Sequence, residues 1–183
     1  MDPSTRCARA LSALVILFTL LALPQVAYAQ DSAIDSGDTA WILVSTALVL
    51  LMQIPGLAPL YGGLVQTKNV LSVLMHCLSL TAAVTIVWVV IGYSLAFDTT
   101  GMEASAVNTN TFIGTGAKAF LKGVDSAAEN GTIPEILFVA FQLTFAIITP
   151  ALIIGAFPER TKFSAVLLFS LLWLVVVYLP ICH

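Results

Sequence analysis

The chain has 183 residues, of which 59% are hydrophobic and only 9% charged, with a formal net charge of −3. A soluble globular protein carries roughly 25% charged residues, so this composition excludes an ordinary soluble domain and indicates an integral membrane protein. The few basic residues are scattered, which excludes a nucleic-acid-binding face.

The first 29 residues read as a secretory signal peptide. Arg6 and Arg9 form a basic start, "LSALVILFTLLAL" (11–23) is a short apolar core, Pro24 ends it, and Ala27-Tyr28-Ala29 is a small-residue cleavage site placing the cut before Gln30. The competing reading is an uncleaved first membrane helix. Cleavage leaves an acidic outer terminus with Asp31, Asp35 and Asp38.

Four apolar stretches follow, at about 40–64, 70–97, 133–157 and 164–182. Each is near the roughly 20 residues that a helix needs to cross the hydrocarbon core. Helices are expected because backbone polar groups have no water partner there. Pro55, Pro59 and Pro150 fall inside these stretches and predict local breaks. With the N-terminus outside, the short turns "VQTKN" (65–69) and "PERTKF" (158–163) are cytoplasmic and carry Lys68, Arg160 and Lys162. The polar stretch 98–132, with Lys118 and Lys122, is then an outer loop. No segment outside the spans is long enough to bury a soluble core. The two turns are faintly alike ("TKNVLSVL", "TKFSAVLL"), a likeness that any basic turn entering a helix shares.

The third stretch holds the most informative pattern. Phe138, Phe141, Gln142, Phe145, Thr149 and Leu152 are spaced i, i+3, i+4, i+7, i+11 and i+14, one face of a helix. An unpaired glutamine amide in lipid costs several kcal/mol, so this face should point into a bundle or a wet cavity. Two readings stay open on spacing alone. In one, the face lines a pore, and the phenylalanine rings gate it and attract a small cation through their π-faces. In the other, Phe fills volume and Gln bonds a neighbouring helix.

Other residues carry less. Gly56, Ala58, Gly62 and Gly63 make a small-residue surface, and the pairs Ala58/Gly62 and Ala151/Gly155 allow close helix approach. Tyr61 suits an interfacial anchor. His76 lies within the second span; it is either functional or satisfied by a backbone carbonyl. His183 falls at the outer surface, and Glu159-Arg160 reads as a solvated or subunit-facing ion pair. Cys7, Cys77 and Cys182 have no zinc-site or disulfide spacing. Phosphate loops, HExxH, a nucleophile elbow and paired intramembrane carboxylates are all missing, so no enzyme, metal or cofactor is indicated.

The segments "IPGLAPLYGGLVQTKNVLSVL", "WVVIGYSLAF", "GTIPEILFVAFQLTFAIITPALIIGAFPER" and "KFSAVLLFSLLWLVVVYLPICH" resemble the bacterial branch of the ammonium transporter (Amt/Mep/Rh) family. The likeness runs from about Asp38 and is weakest in the outer loop. It implies an all-α integral membrane fold of eleven helices in two inverted-repeat halves, assembled as a homotrimer in the bacterial inner membrane, conducting ammonium or ammonia. It also implies a PII signalling protein as a possible cytoplasmic partner. By resemblance, Phe145 matches the first gating phenylalanine and the floor of the outer ammonium site, and Phe141 and Gln142 match the vestibule wall. Leu57, Leu60 and Tyr61 match the pore lining or inner mouth, with Leu60 departing from the family's usual aromatic.

The family's outer-site tryptophan, the aspartate of the fifth helix and the pore histidines match no position here. Trp173 and His183 are not those residues. The chain therefore reads as the first four of eleven helices, unable to transport alone. It ends directly after an apolar stretch, which favours a transporter fragment. The alternatives are a non-transporting membrane subunit that assembles with and modulates full-length relatives, and a small neutral-solute channel made of oligomerised four-helix units.

Overall fold

The computed structural model describes residues 34–102, 108–125 and 127–183. The signal-peptide segment and its cleavage site lie outside the described residues. Among the described residues, four helices are long and apolar enough to cross a membrane: α1 (Ser36–Leu64), α2 (Thr67–Phe97), α3 (Glu135–Ile154) and α4 (Phe163–Cys182). A two-stranded antiparallel ribbon, β1 (Glu129–Asn130) and β2 (Ile133–Pro134), precedes α3.

α1 starts at Ser36, four residues earlier than the hydropathy boundary at 40 suggests, because Asp35 caps it. The Asp35 carboxylate accepts from Gly37 N at 2.7 Å and Asp38 N at 2.9 Å, satisfying two of the amides that every helix start leaves unpaired. Two of the aspartates read as an acidic tail are thus the cap and the first turn of the helix. α3 runs from 135 to 154 rather than 133 to 157. Its first expected residues are taken by β2, and Gly131, at φ 64°, turns the ribbon in the left-handed region that glycine adopts without strain.

Three of the helices contain a π turn: Met52–Leu57 in α1, Trp88–Gly92 in α2 and Leu174–Tyr178 in α4. In α1 the cause is Pro55, which has no N–H to give and disturbs the turn before it. Pro150 sits inside α3 without such a break and is buried.

α2 is the hub. It packs against α1 through the short-turn half, against α3 along its middle and against α4. Val73, Cys77, Leu80, Val84 and Trp88 are its buried stripe, facing Val139, Ala146, Ile147, Ala151 and Ile154 of α3 and Val166 and Leu174 of α4. Between Ser36 and Leu51, α1 has no buried residue. Trp88 is fully buried, and its indole N–H donates to Val139 O at 3.3 Å. Its ring lies over Gly92, where an added Cβ would come within 3.1 Å.

The long loop is folded onto the end of α2. Gly114 N donates to Leu95 O at 2.9 Å, and the chain passes so close that a Cβ at Gly114 would sit 2.3 Å from Ser94 O. Asp98, 1% exposed, organises this end. Its Oδ1 accepts from Thr100 N (3.1 Å) and Thr100 Oγ1 (2.5 Å), and its Oδ2 from Thr115 Oγ1 (2.6 Å) and Ala117 N (2.9 Å). Burial alone pushes the carboxyl up. The hydroxyls of Thr100 and Thr115 and the amides of Thr100 and Ala117 outweigh it and hold the group at about 2.

That value lies below the ordinary ~3.9 of an unfolded aspartate. The stabilisation is therefore complete above about pH 4 and is lost as pH falls toward 2, an effect of about 2–3 kcal/mol. Thermal unfolding in detergent between pH 6 and pH 2.5 should show this loss, and Asp98→Asn should show less of it. Parallel curves for the two proteins would refute the assignment.

Candidate functional site

The face picked out by periodicity on α3 is not the packed face. The buried positions of α3 are Val139, Thr144, Ala146, Ile147, Ile148, Pro150, Ala151 and Ile154, together with Glu135 at its start. Phe138, Phe141, Gln142, Phe145 and Thr149 are half-buried and Leu152 is exposed. Of these, Phe138 turns toward α2 and meets Phe97 edge-on, with ring centroids 5.0 Å apart. Phe141 and Phe145 form their own edge-to-face pair, with centroids 5.0 Å apart and planes at 82°. Thr144 and Thr149 return their hydroxyl protons to Phe141 O (2.6 Å) and Phe145 O (2.7 Å), so neither hydroxyl proton is offered outward.

Gln142 lies beside this pair and makes no hydrogen bond among the described residues. A half-buried amide on so apolar a helix needs water or a partner beyond these four helices. At the long-loop end of the same side is a recess of about 370 Å³, lined by Asp38, Trp41, Phe138, Phe141 and the β-ribbon. Thr132 donates to Asp38 Oδ2 at 2.6 Å and fixes the ribbon to α1 there.

The α1 residues are placed differently from one another. Leu57 is 8% exposed and belongs to the core, whereas Leu60 is 58% exposed. The two do not line one recess in the four-helix unit. Tyr61 crosses to α3, where its hydroxyl donates to Leu152 O at 3.0 Å and its ring covers Gly155. The small residue at 155 is what admits that ring: a Cβ there would stand 2.8 Å from it. Tyr61 is thus a helix-to-helix tie.

Two further expectations need correction or completion. Glu159 does not pair with Arg160. Its Oε1 accepts from Gln66 N at 2.9 Å and Asn69 Nδ2 at 2.8 Å, joining the α3–α4 turn to the α1–α2 turn. These bonds, from Asn69 first and then Gln66, hold its carboxyl below the usual range. Adjacent residues on a tight turn point apart, so the sequence neighbour is not the spatial one. His76 meets Ser72 O at 2.6 Å through Nδ1, the carbonyl partner that was one of its two readings. His183 lies at the opposite end, with Nδ1 3.0 Å from Ala96 O and Nε2 2.9 Å from Asn110 O.

Residue-pattern reasoning passed over three polar groups. Glu135, 5% exposed, accepts from Tyr93 OH at 2.7 Å and pairs with Lys118 of the long loop. Asp98 is the second. Gln53 is the third: it is 1% exposed in the π turn of α1, and neither its Nε2 nor its Oε1 has a partner among the described residues. A signal existed for each, since each is a polar side chain inside or at the edge of an apolar run, where such residues are costly. No cluster of three or more His, Cys, Asp or Glu side chains suited to a metal occurs among the described residues.

Comparison with known proteins bears on the family of the chain. The sequence profile of the Ammonium Transporter Family matches residues 40–183. An ammonium transporter of Bacillus subtilis is 49% identical over 149 residues, covering 80% of this chain and 34% of that protein. One from Aquifex aeolicus is 42% identical over 178 residues, covering 96% of this chain and 39% of its own length. The crystal structure of Candida albicans Mep2 superposes with a TM-score of 0.67 at 35% identity, over 83% of this chain and 32% of the other. The chain spans about a third of the length of the relatives it matches.

Proposed function

Since the chain belongs to the ammonium transporter family, we propose that it supplies the first four of eleven helices to a narrow apolar pore conducting ammonium or ammonia. The family is one of transporters, so the chain is not read as an enzyme. The observation that carries the proposal is the edge-to-face pair Phe141–Phe145, with Gln142 beside it, on a side of α3 that these four helices leave half open. Within the family resemblance, Phe145 is the gate and the floor of the outer ammonium site. Phe141 and Gln142 form the vestibule wall, and Leu60 and Tyr61 lie nearer the inner mouth. Leu57 is the weakest member of the set, because it is packed in the core.

The remaining helices would complete the pore against that open side as the second half of an inverted repeat. On this reading residues 1–29 are a cleaved leader, the mature N-terminus and the long loop face outward, and the two short turns face the cytoplasm. The assembly is a homotrimer in a bacterial inner membrane, and a PII signalling protein could act on its cytoplasmic side. Four helices with an open pore wall enclose no path, so the chain alone does not transport.

A chimera tests this. With the chain in place of the matching part of the B. subtilis relative, cells are expected to take up methylammonium saturably, whereas proteoliposomes holding the chain alone are not. In the chimera, Phe145→Ala should change the uptake rate about tenfold, equivalent to ~1.4 kcal/mol in the barrier. Saturable uptake by the chain alone, or a Phe145→Ala chimera with unaltered rate, would sink the reading.

A further inference from the structure

The β-ribbon before α3 turns through Gly131 and Thr132, with Asn130 paired to Ile133 across it. Gly131 holds φ 64°, and Thr132 does not share that left-handed range. Glycine at the first central position of a two-residue turn is the type II′ arrangement, which suits the twist of a hairpin. Asn130, Gly131 and Thr132 are all exposed. The turn is held to α1 by hydrogen bonds: Asp35 N donates to Thr132 O at 2.8 Å, and Thr132 Oγ1 donates to Asp38 Oδ2 at 2.6 Å.

An asparagine followed by glycine carries a chemistry of its own. The backbone nitrogen of the following residue can attack the side-chain carbonyl carbon of the asparagine. A Cβ on that following residue stands in the way, and glycine has none. The chain's other asparagines, Asn69, Asn108 and Asn110, precede Val70, Thr109 and Thr111, whose β-branched side chains crowd the backbone most. Asn130 alone precedes a glycine. The Gly131 N–H donates to no carbonyl among the described residues, and Asn130 is open to water, so the reacting groups are not tied up.

What restrains the reaction is the ribbon itself. Extended backbone at Asn130 keeps its side chain turned away from the next amide, so the atoms meet only when Asn130 leaves the strand. The strands are two residues long, and Pro134 brings no N–H to the ladder. An isolated hairpin is marginal in water. This one leans on the buried Ile133, on Glu135 N donating to Ala128 O, and on its bonds to Asp35 and Asp38. Segments with so few buried contacts open locally far more often than the core does.

We propose that Asn130 is a self-modification site, deamidating spontaneously at a rate gated by the Thr132–Asp38 tie. The Gly131 nitrogen bonds to Asn130 Cγ. Its proton is handed through water to the side-chain nitrogen, the Cγ–N bond breaks, and ammonia leaves behind a succinimide ring. Water then adds to either ring carbonyl and opens the ring, with no change of oxidation state. The product is aspartate, or isoaspartate with the main chain routed through the former side chain. Each places a new carboxylate in the recess that Asn130 shares with Asp38, Trp41, Phe138 and Phe141. The isoaspartyl chain is also one methylene longer, so the turn loses its fit to α1 and Thr132 leaves Asp38. The result is a one-way loosening at the start of α1, and it does not rest on the pore reading.

The test holds the full chain in lipid nanodiscs at mildly alkaline pH. Each asparagine is followed by peptide mass spectrometry, with fragmentation that separates aspartate from isoaspartate. Asn130 is expected to convert tenfold or more faster than Asn108, which is also exposed, with isoaspartate the larger product. Thr132→Val keeps the branched shape and removes the tie, so it should speed conversion severalfold. Asn130→Gln should slow it tenfold or more, because the larger ring closes far less readily. Hydrogen exchange at Asp35 N should quicken as isoaspartate accumulates, since its acceptor is Thr132 O. Conversion of Asn130 no faster than that of Asn108, an unchanged rate in Thr132→Val, or unchanged Asp35 exchange in the converted protein would overturn the proposal. The comparison of Asn130 with Asn108 in the wild-type chain stands even where a variant fails to fold.

Discussion

Trp88→Ala should lower the unfolding free energy by about 3–5 kcal/mol, the range found for large aromatic truncations in protein cores. The indole is fully buried at the meeting of α2 and α3. Tyr93 and Phe97 both lie 6.2 Å from it, centroid to centroid, with planes at 64° and 73°. Transfer from water to lipid drops out of the balance for a residue that stays out of water in either state, but lost dispersion contacts and the cavity left behind do not. Gly92 gives the neighbouring helix turn no side chain with which to fill the gap. Trp88→Phe keeps most of the volume and forfeits the bond to Val139 O, so it should cost closer to 1 kcal/mol. Thermal unfolding in detergent compares the two. If both variants fall by the same amount, the hydrogen bond and not the packing is what Trp88 provides.

Lys118→Met comes next in size. Glu135 opens α3 with a side chain only 7% exposed, held by Tyr93 OH and Lys118. The Lys118 ammonium also stands 5.9 Å from the Tyr93 ring centroid. Removing one partner of a buried ion pair costs about 3–5 kcal/mol, because a charge is left without compensation. The low end is expected here, since the Lys118 side chain is 36% exposed and water can take up part of the role. The double variant Lys118→Met with Glu135→Gln should recover most of that loss. A double variant as unstable as the sum of the two single variants would mean that the groups do not act as a pair. The wider effect is on the long loop: the Lys118 side chain helps to fasten it to the start of α3, beside the Glu135 N to Ala128 O bond, so protease cutting between 108 and 125 should quicken in Lys118→Met.

Much of this architecture was legible in the sequence, and the limits have physical causes. The four spans were readable because apolar runs of about 20 residues have one common solution in a bilayer. Their ends were less so. Asp35 as a cap and the Ile133–Pro134 strand depend on partners that hydropathy does not register. The periodic face of α3 reads as one strip, but periodicity alone could not say that Phe138 turns to Phe97 while Phe141, Gln142 and Phe145 stay half open and Val139, Ala146 and Ile147 take the core. An apolar-to-polar moment is weak when nearly every side chain is apolar. Glu135–Lys118 and Glu159–Asn69 escaped for another reason. Each joins residues far apart in sequence, Glu159 and Asn69 by 90 positions, and a single sequence records no such pairing. The Tyr61–Gly155 contact was half legible, in the small residue but not in the ring that needs it.

The uneven burial along α1 bears on how the protein is made. Its first sixteen residues bury no side chain, so this half of α1 can leave the translocon and wait in lipid at little cost, whereas Gln53, Leu57 and Ala58 in the second half are buried. α2 cannot wait so comfortably. Its stripe from Val73 to Trp88 finds most of its partners on α3 and α4, which the ribosome has yet to deliver when α2 is complete. The carboxylate of Asp98, clasped by a loop synthesised just after it, gives the nascent chain an early local fold at the lip of α2. The bundle is thus written in an order its synthesis can follow: a helix with an undemanding first half, the hub second, and the helices that satisfy the hub last.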